Sequence, residues 1–267
     1  MRSHDTFRVI SQHHFDAVPL FGAVRIKSLD LYKPIPIFLA GNDKEDGMEI
    51  DVARVLGLVT RSVRNFDKDG KAASAVTLSR LYDTSVDDLW DALTSKERIP
   101  RWFLLVEGDL RLGGRYQLKG NAGGAITACT PPRHFAATWE FGGGTSWIDV
   151  KLAAERDKAR LTLEHTAIIE DHWNQFGPGA VGIGWDLALA GLERYLATGA
   201  SVDHETAEAW MGSPDGKEFM TRSGEFWRAA HVASGVDPAS AKERSDRTIA
   251  FYRGEIPPDM AHPGTGS

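Results

Sequence analysis

The sequence predicts an α+β domain in which a curved antiparallel sheet wraps one long helix, followed by a helical C-terminal extension. Three observations predict it. Five short extended runs between residues 113 and 167 are separated only by turn residues, the pattern of an antiparallel meander. Their apolar residues alternate, so the sheet buries one face and needs an apolar cover. A run after Gly177 then repeats Val181, Trp185, Leu189, Leu192 and Leu196 at helical spacing. A striped helix laid across a half-buried sheet satisfies both apolar surfaces at once.

The elements follow in order. Residues 1–47 form an irregular N-terminal extension holding Pro19, Pro34 and Pro36 and ending in the polar linker GNDKEDG. Met48 opens the helix-like run MEIDVARVLG and reads as the start of the domain, which spans 48–200. VTRSVRNF and AVTLSRLY alternate as strands around the turn Asp67-Lys68-Asp69-Gly70, so a hairpin is expected. Thr84 or Ser85 is placed to cap the helix VDDLWDALT, with Asp87 and Asp88 favourable to the dipole of its first turn. Ser95 is expected to cap a second short helix, KERIPRWF, ending near Pro100.

The meander runs GGRYQLKG, GAITACT, HFAATWEF, SWIDVKLAA and ARLTLEHTA. Parity assigns Phe135, Ala137, Trp139 and Phe141, then Ile148, Val150 and Leu152, then Leu161, Leu163 and His165 to the buried face. His134, Thr138, Glu140, Asp149, Lys151, Thr162 and Glu164 take the wet face. Gly199 ends the long helix as its left-handed cap. Residues 201–255 read as a helical extension. Asp203 can cap HETAEAWM, and Ser213-Pro214 and Asp237-Pro238 each pair a cap with Pro at the first helical position. Phe219, Phe226, Trp227 and Ala230 give the extension a modest apolar side. Residues 256–267 read as a tail outside the fold.

Composition narrows the function. The chain has 267 residues and a formal net charge of -6, with no Lys/Arg run longer than two. Nucleic-acid binding, which needs a basic face to neutralise phosphates, is not expected. No apolar stretch approaches the ~18 residues that span a bilayer, and the N-terminus lacks the apolar core of a secretory signal. The expectation is a cytoplasmic protein without membrane contact, with monomer and homodimer both open. The single cysteine, Cys129, sits in ITACTPP, which reads as a strand before a turn rather than as a reactive thiolate. No His/Cys/carboxylate cluster reaches the ligands a metal needs, and His13-His14 lacks partners, so no metal or other cofactor is expected. The Gly-rich turns lack the strand-to-helix context of a phosphate loop.

The order of SVDDLWDALTSKERIPRWF, GGRYQLKG, GAITACTPPRHFAATWEF, RLTLEHTA and GWDLALAGLERYLATG resembles the SRPBCC superfamily, START type, over about residues 76–200. Within it the residues resemble the branch homologous to the activator of heat-shock-protein-90 ATPase. The resemblance implies a helix-grip, birch-pollen-allergen-like fold with a cavity between sheet and C-terminal helix. It does not imply a chemistry, because the superfamily binds lipids, hormones, polyketides and chaperones, and function must be argued from the site.

Aromatic residues are the main candidates for a ligand site. Trp102, Phe103, Tyr116, Phe135, Trp139, Phe141 and Trp185, with Leu163, His165 and Leu189, would line a cavity for a hydrophobic small molecule. The plainer reading is that the same rings fill the core. His165 shares the buried face and could hold a ligand's polar group or act as a general base. It could equally be a core histidine satisfied by its neighbours. Glu164 points to the opposite face and cannot form a dyad with it. The segment EDHWNQFGPG reads as a loop that could gate a cavity mouth, with Asp171 and His172 in reach of a ligand; the plainer reading is a solvated loop. The alternatives to binding are a metal-free polyketide cyclase or hydrolase using His165 and Tyr116, and a chaperone ATPase regulator. The lack of an acid–base pair on one face favours binding. Glycines at 182, 184 and 191 are expected to leave the long helix short of side-chain volume, and so to leave a gap.

Overall fold

The computed structural model describes residues 51–201 and 204–255, all of which belong to one compact unit. The expectations placed on residues 1–50, on the Asp203 cap and on 256–267 lie outside the described residues.

Helix α1 (Val52–Gly57) is short, and the Asp51 side chain accepts from the Arg54 N–H at 2.9 Å to cap it. Strands β1 (Thr60–Lys68) and β2 (Lys71–Tyr82) form the expected hairpin, with Lys68 opposite Lys71. Its two turn residues, Asp69 and Gly70, both have positive φ (54° and 79°), the backbone that matches strand twist in a two-residue hairpin. Helix α2 (Val86–Thr94) is capped by Ser85, which accepts from the Asp88 N–H at 3.1 Å. The second helix expected after Ser95 is only a 3-10 turn over Ile99–Arg101, with Pro100 inside it. Proline lacks the N–H that an α-helix would require there.

The sheet continues with β3 (Val106–Gly108), β4 (Arg115–Leu118), β5 (Gly123–Thr130), β6 (His134–Phe141), β7 (Gly144–Glu155) and β8 (Lys158–Ile168). All pairings are antiparallel, in the order β1-β2-β8-β7-β6-β5-β4-β3. The parity argument holds: Ala137, Trp139, Ile148, Val150, Leu152, Leu161, Leu163 and His165 are buried. Glu164 lies on the outer face, 3.6 Å from Arg64. Strand β3 has no counterpart in the sequence reading, because three residues are too few to display an alternation.

The segment expected to be a gating loop is instead helix α3 (Asp171–Phe176), with Trp173 buried. Helix α4 (Gly179–Thr198) follows and ends at Gly199, φ 68°. The extension supplies α5 (His204–Gly212), α6 (Pro214–Ala233) and α7 (Pro238–Tyr252). Ser213 and Asp237 cap α6 and α7 as expected, accepting from Gly216 and Ser240 N–H groups.

The one-sided stripe on α4 needs correction. Every residue from Gly182 to Leu192 is buried, because the sheet covers one side of α4 and the extension covers the other. A Cβ on Gly182 would come within 2.2 Å of the Trp227 indole. The missing side-chain volume at Gly182 therefore docks α6 and opens no gap toward the sheet. Phe219 and Trp227 of α6 are fully buried, whereas Phe226 is 42% exposed and its ring lies under the Arg61 guanidinium at 4.8 Å.

This docking surface encloses a charge. Asp186 of α4, 1% exposed, accepts from Arg61 of β1 (Nη2 at 2.8 Å), the Ser223 hydroxyl (2.6 Å) and the Trp227 indole N–H (3.0 Å). Arg61 also donates to the carbonyls of Leu56 and Val59. Burial pushes the Asp186 carboxyl upward, and Arg61 and the two side-chain donors oppose that shift. One buried group thus ties the first strand, the central helix and the extension together.

Candidate functional site

The concave face of the sheet and the start of α4 bring most of the candidate residues together. Trp102 and Phe103 follow the 3-10 turn and stack at 5.3 Å between centroids. Phe103 lies 6.2 Å from Trp185, and Trp185 lies 5.2 Å from Trp139. His165 completes the group, 5.8 Å from Trp139 and 6.0 Å from Trp185. These offset and edge arrangements are the favourable ones for aromatic quadrupoles. None of the five rings is more than 9% exposed. Leu163 and Leu189 are buried on the same sheet face and helix. Tyr82 of β2 fixes the helix over the sheet by donating to the Leu189 carbonyl at 3.1 Å.

Three candidates are placed elsewhere. Phe135 is half-buried and packs edge-on against Trp90 of α2 at 6.0 Å. Phe141 is half-buried at the last position of β6, beside the hairpin turn. Tyr116 is buried, and its hydroxyl donates to the Thr138 carbonyl at 2.7 Å. Burial raises its pKa well above that of an ordinary phenol, so it is poorly suited to proton transfer.

His165 sits in a directed chain of hydrogen bonds. The Trp185 indole can only donate, and it reaches Nδ1 of His165 at 3.0 Å. Nδ1 therefore carries the lone pair and Nε2 carries the hydrogen. Nε2 is 2.8 Å from Ser146 Oγ, which in turn donates to the Trp139 carbonyl at 3.2 Å. Burial holds His165 down at about 4, so the ring is neutral at physiological pH. Its single lone pair is already engaged, which leaves no free base. This matches the plainer of the two sequence readings for His165.

Ser146 is the residue sequence reasoning missed. It is half-buried at the start of β7 and is the end of the chain nearest to solvent. The signal was present, since Ser146 shares parity with Ile148, but a serine at a strand end carries no apolar pattern.

The neutral histidine gives a pH expectation. The unfolded imidazole binds a proton below its ordinary pKa of 6.5, and the folded one only below about 4. His165 therefore contributes stability above 6.5 that is lost as pH falls through about 4, on the order of 3 kcal/mol. His165→Gln is expected to flatten that part of the stability–pH profile, measured by urea unfolding from pH 7 to 4. An unchanged slope would show that His165 is protonated in the fold. His172 and His231, also held near 4 by burial, add slope of the same sign.

The expected gating residues belong to the extension side. Trp173 lies edge-on to His231 of α6 at 6.3 Å, and the His172 ring lies 4.8 Å from Phe176 within α3. Among the described residues no group of His, Cys, Asp or Glu could hold a metal ion. No described helix is long and apolar enough to cross a membrane. Cys129 is half-buried in β5.

Residues 83–197 match the family model described as Activator of Hsp90 ATPase homolog 1-like protein. A crystal structure of CalU16 from Micromonospora echinospora is 31% identical, covers 64% of this chain and 97% of its own, and has a TM-score of 0.53. The solution structure of CalU16 is 30% identical, covers 66% of this chain and 96% of its own, and has a TM-score of 0.57. An HSP90 activator from Plasmodium falciparum is 21% identical, covers 52% of this chain and 97% of its own, and has a TM-score of 0.34, too remote to carry a shared activity. No curated protein matches the chain.

Proposed function

The chain belongs to the Activator of Hsp90 ATPase homolog 1-like branch of the SRPBCC superfamily, and from that premise we propose that it binds a hydrophobic small molecule between the concave sheet face and α4. The observation that carries the reading is the convergence of Trp102, Phe103, Trp139 and Trp185 on one neutral, hydrogen-bonded histidine. Small-molecule sites combine an apolar, aromatic lining with a few fixed polar groups. Here the rings would grip a flat apolar body, and Ser146, the more accessible end of the polar chain, would meet a hydroxyl or carbonyl on it. The rings pack on one another, so a ligand enters by replacing ring–ring contacts with ring–ligand ones. His165 has both nitrogens engaged and Tyr116 is tied to a backbone carbonyl, which supports binding over proton transfer.

The test uses the dye 1-anilinonaphthalene-8-sulfonate on the native chain. Saturable binding with quenching of tryptophan emission is expected, and Trp139→Phe should remove part of the quenching. Ala137, 2% exposed beside Trp139 on the same strand face, offers the control. Ala137→Phe adds a ring where the ligand would have to enter and should weaken the dye by about tenfold, with the thermal midpoint showing the variant still folded. A dye that ignores the folded protein, or binds the filled variant equally well, defeats the reading.

A further inference from the structure

The donors around the aromatic group end on acceptors within the protein. The Trp102 indole N–H meets the Ala92 carbonyl at 2.9 Å, and the Trp185 indole meets His165 Nδ1 at 3.0 Å. The Nε2–H of His165 reaches Ser146 Oγ at 2.8 Å, and the Ser146 hydroxyl donates to the Trp139 carbonyl at 3.2 Å. On the same side of the sheet, the Tyr82 and Tyr116 hydroxyls donate to the carbonyls of Leu189 and Thr138. Arg80 shares this face, but it lies four residues along β2 from Val76, the partner of His165, or about 13 Å away, and its guanidinium joins Glu193.

What remains at the end of the chain is an acceptor. A serine hydroxyl has one hydrogen and two lone pairs. Ser146 gives its hydrogen to Trp139 and one lone pair to His165, which leaves one lone pair on Oγ. Ser146 is half-buried while His165 is buried, so this oxygen is the polar atom an entering ligand meets. A ligand O–H or N–H can use it without disturbing any existing bond. A ligand carbonyl is met only if the Ser146 hydrogen turns away from Trp139, which gives up one bond to form another. Trp102, Phe103, Trp139, Ser146 and Trp185 carry no charge, and burial keeps His165 neutral, so nothing in the group favours an ionised ligand.

We infer that Ser146 determines specificity at this site: it accepts from a hydroxyl on a neutral, flat aromatic ligand, so that phenols are selected over ethers and ketones of similar shape. The inference rests on the hydrophobic site proposed above and names the class of ligand for it. The rings supply contact area that every flat apolar compound shares, and the lone pair on Ser146 Oγ supplies the discrimination among them.

Calorimetric titration of the full chain at neutral pH with 2-naphthol, 2-methoxynaphthalene and 2-acetylnaphthalene tests it. The three share one ring system, and only the first can donate. 2-Naphthol is expected to bind about tenfold tighter than the ether and the ketone, the worth of one further hydrogen bond. Ser146→Ala should bring the three within about twofold of one another. Ser146→Thr keeps a hydroxyl on a residue that suits a strand and should preserve the gap. Trp139 also carries an indole N–H, so Trp139→Phe is the control: it should weaken all three compounds without narrowing the gap. If the alanine variant does not fold, the ranking of the three compounds on the unaltered chain still decides. A gap that survives Ser146→Ala, or that closes in Trp139→Phe, places the discrimination elsewhere and overturns the inference. Equal binding of all three overturns it and leaves the apolar site standing, whereas binding of none defeats the site itself.

Discussion

Asp186→Ala is expected to cost about 3–5 kcal/mol, because it strands the Arg61 guanidinium inside the protein. The Arg61 side chain is 4% exposed and its ion-pair partner is completely buried. Truncation also leaves Ser223 and the Trp227 indole facing the vacated space. Chemical denaturation measures the loss. The double change Arg61→Met/Asp186→Leu removes both charges and should recover most of it, since an apolar pair of similar volume replaces a buried ion pair at little cost. A midpoint unmoved by Asp186→Ala would mean that water reaches Arg61. Failure of the double variant to recover would place the cost in lost packing instead. The extension should loosen first, because Ser223 and Trp227 join it to α4 through this carboxylate; faster proteolysis within α6 and α7 would report it.

Trp185→Ala should destabilise by about 3–5 kcal/mol, as truncation of buried aromatics does. The ring is 7% exposed and touches Phe103, Trp139 and His165. Its loss also removes the hydrogen bond that Trp185 donates to His165 Nδ1. Trp185→Phe separates the two effects. It removes the indole donor and keeps most of the packing, and with it the burial that holds His165 at about 4, so a smaller loss of stability is expected with the His165 pKa, read by NMR, still well below its ordinary value. An unfolding midpoint equal to that of the unaltered protein in Trp185→Ala would put the ring outside the core and remove the centre of the candidate site.

The candidate site was partly legible. Parity along β6 and β8 put Trp139, Leu163 and His165 on one face, and helical spacing put Trp185 and Leu189 on another. Both inferences depend only on local geometry, in which side chains alternate along a strand and recur every third or fourth residue along a helix. Phe135 and Phe141 satisfied the same parity, yet they sit at the two ends of β6. Position along a strand decides which partner a side chain meets, and parity carries no information about that. Tyr116 failed for a related reason, since its hydroxyl finds a carbonyl 22 residues away.

The sequence by itself determined the elements whose signals are contained within a few residues. These are the Asp69-Gly70 hairpin, the caps at Ser213 and Asp237, the stop at Gly199, and the wet and dry faces of β6, β7 and β8. Only the tertiary structure decided what lies on the second side of α4. Gly182 reads as missing volume until Trp227 is seen against it, and Asp186 finds its partner Arg61 only in the fold, 125 residues away along the chain. Local signals arise from backbone geometry and nearby hydrogen bonds, which a short stretch of sequence contains completely. A buried ion pair or a ring seated on a glycine is stable only when two distant surfaces meet in one register, and no stretch of sequence holds both surfaces.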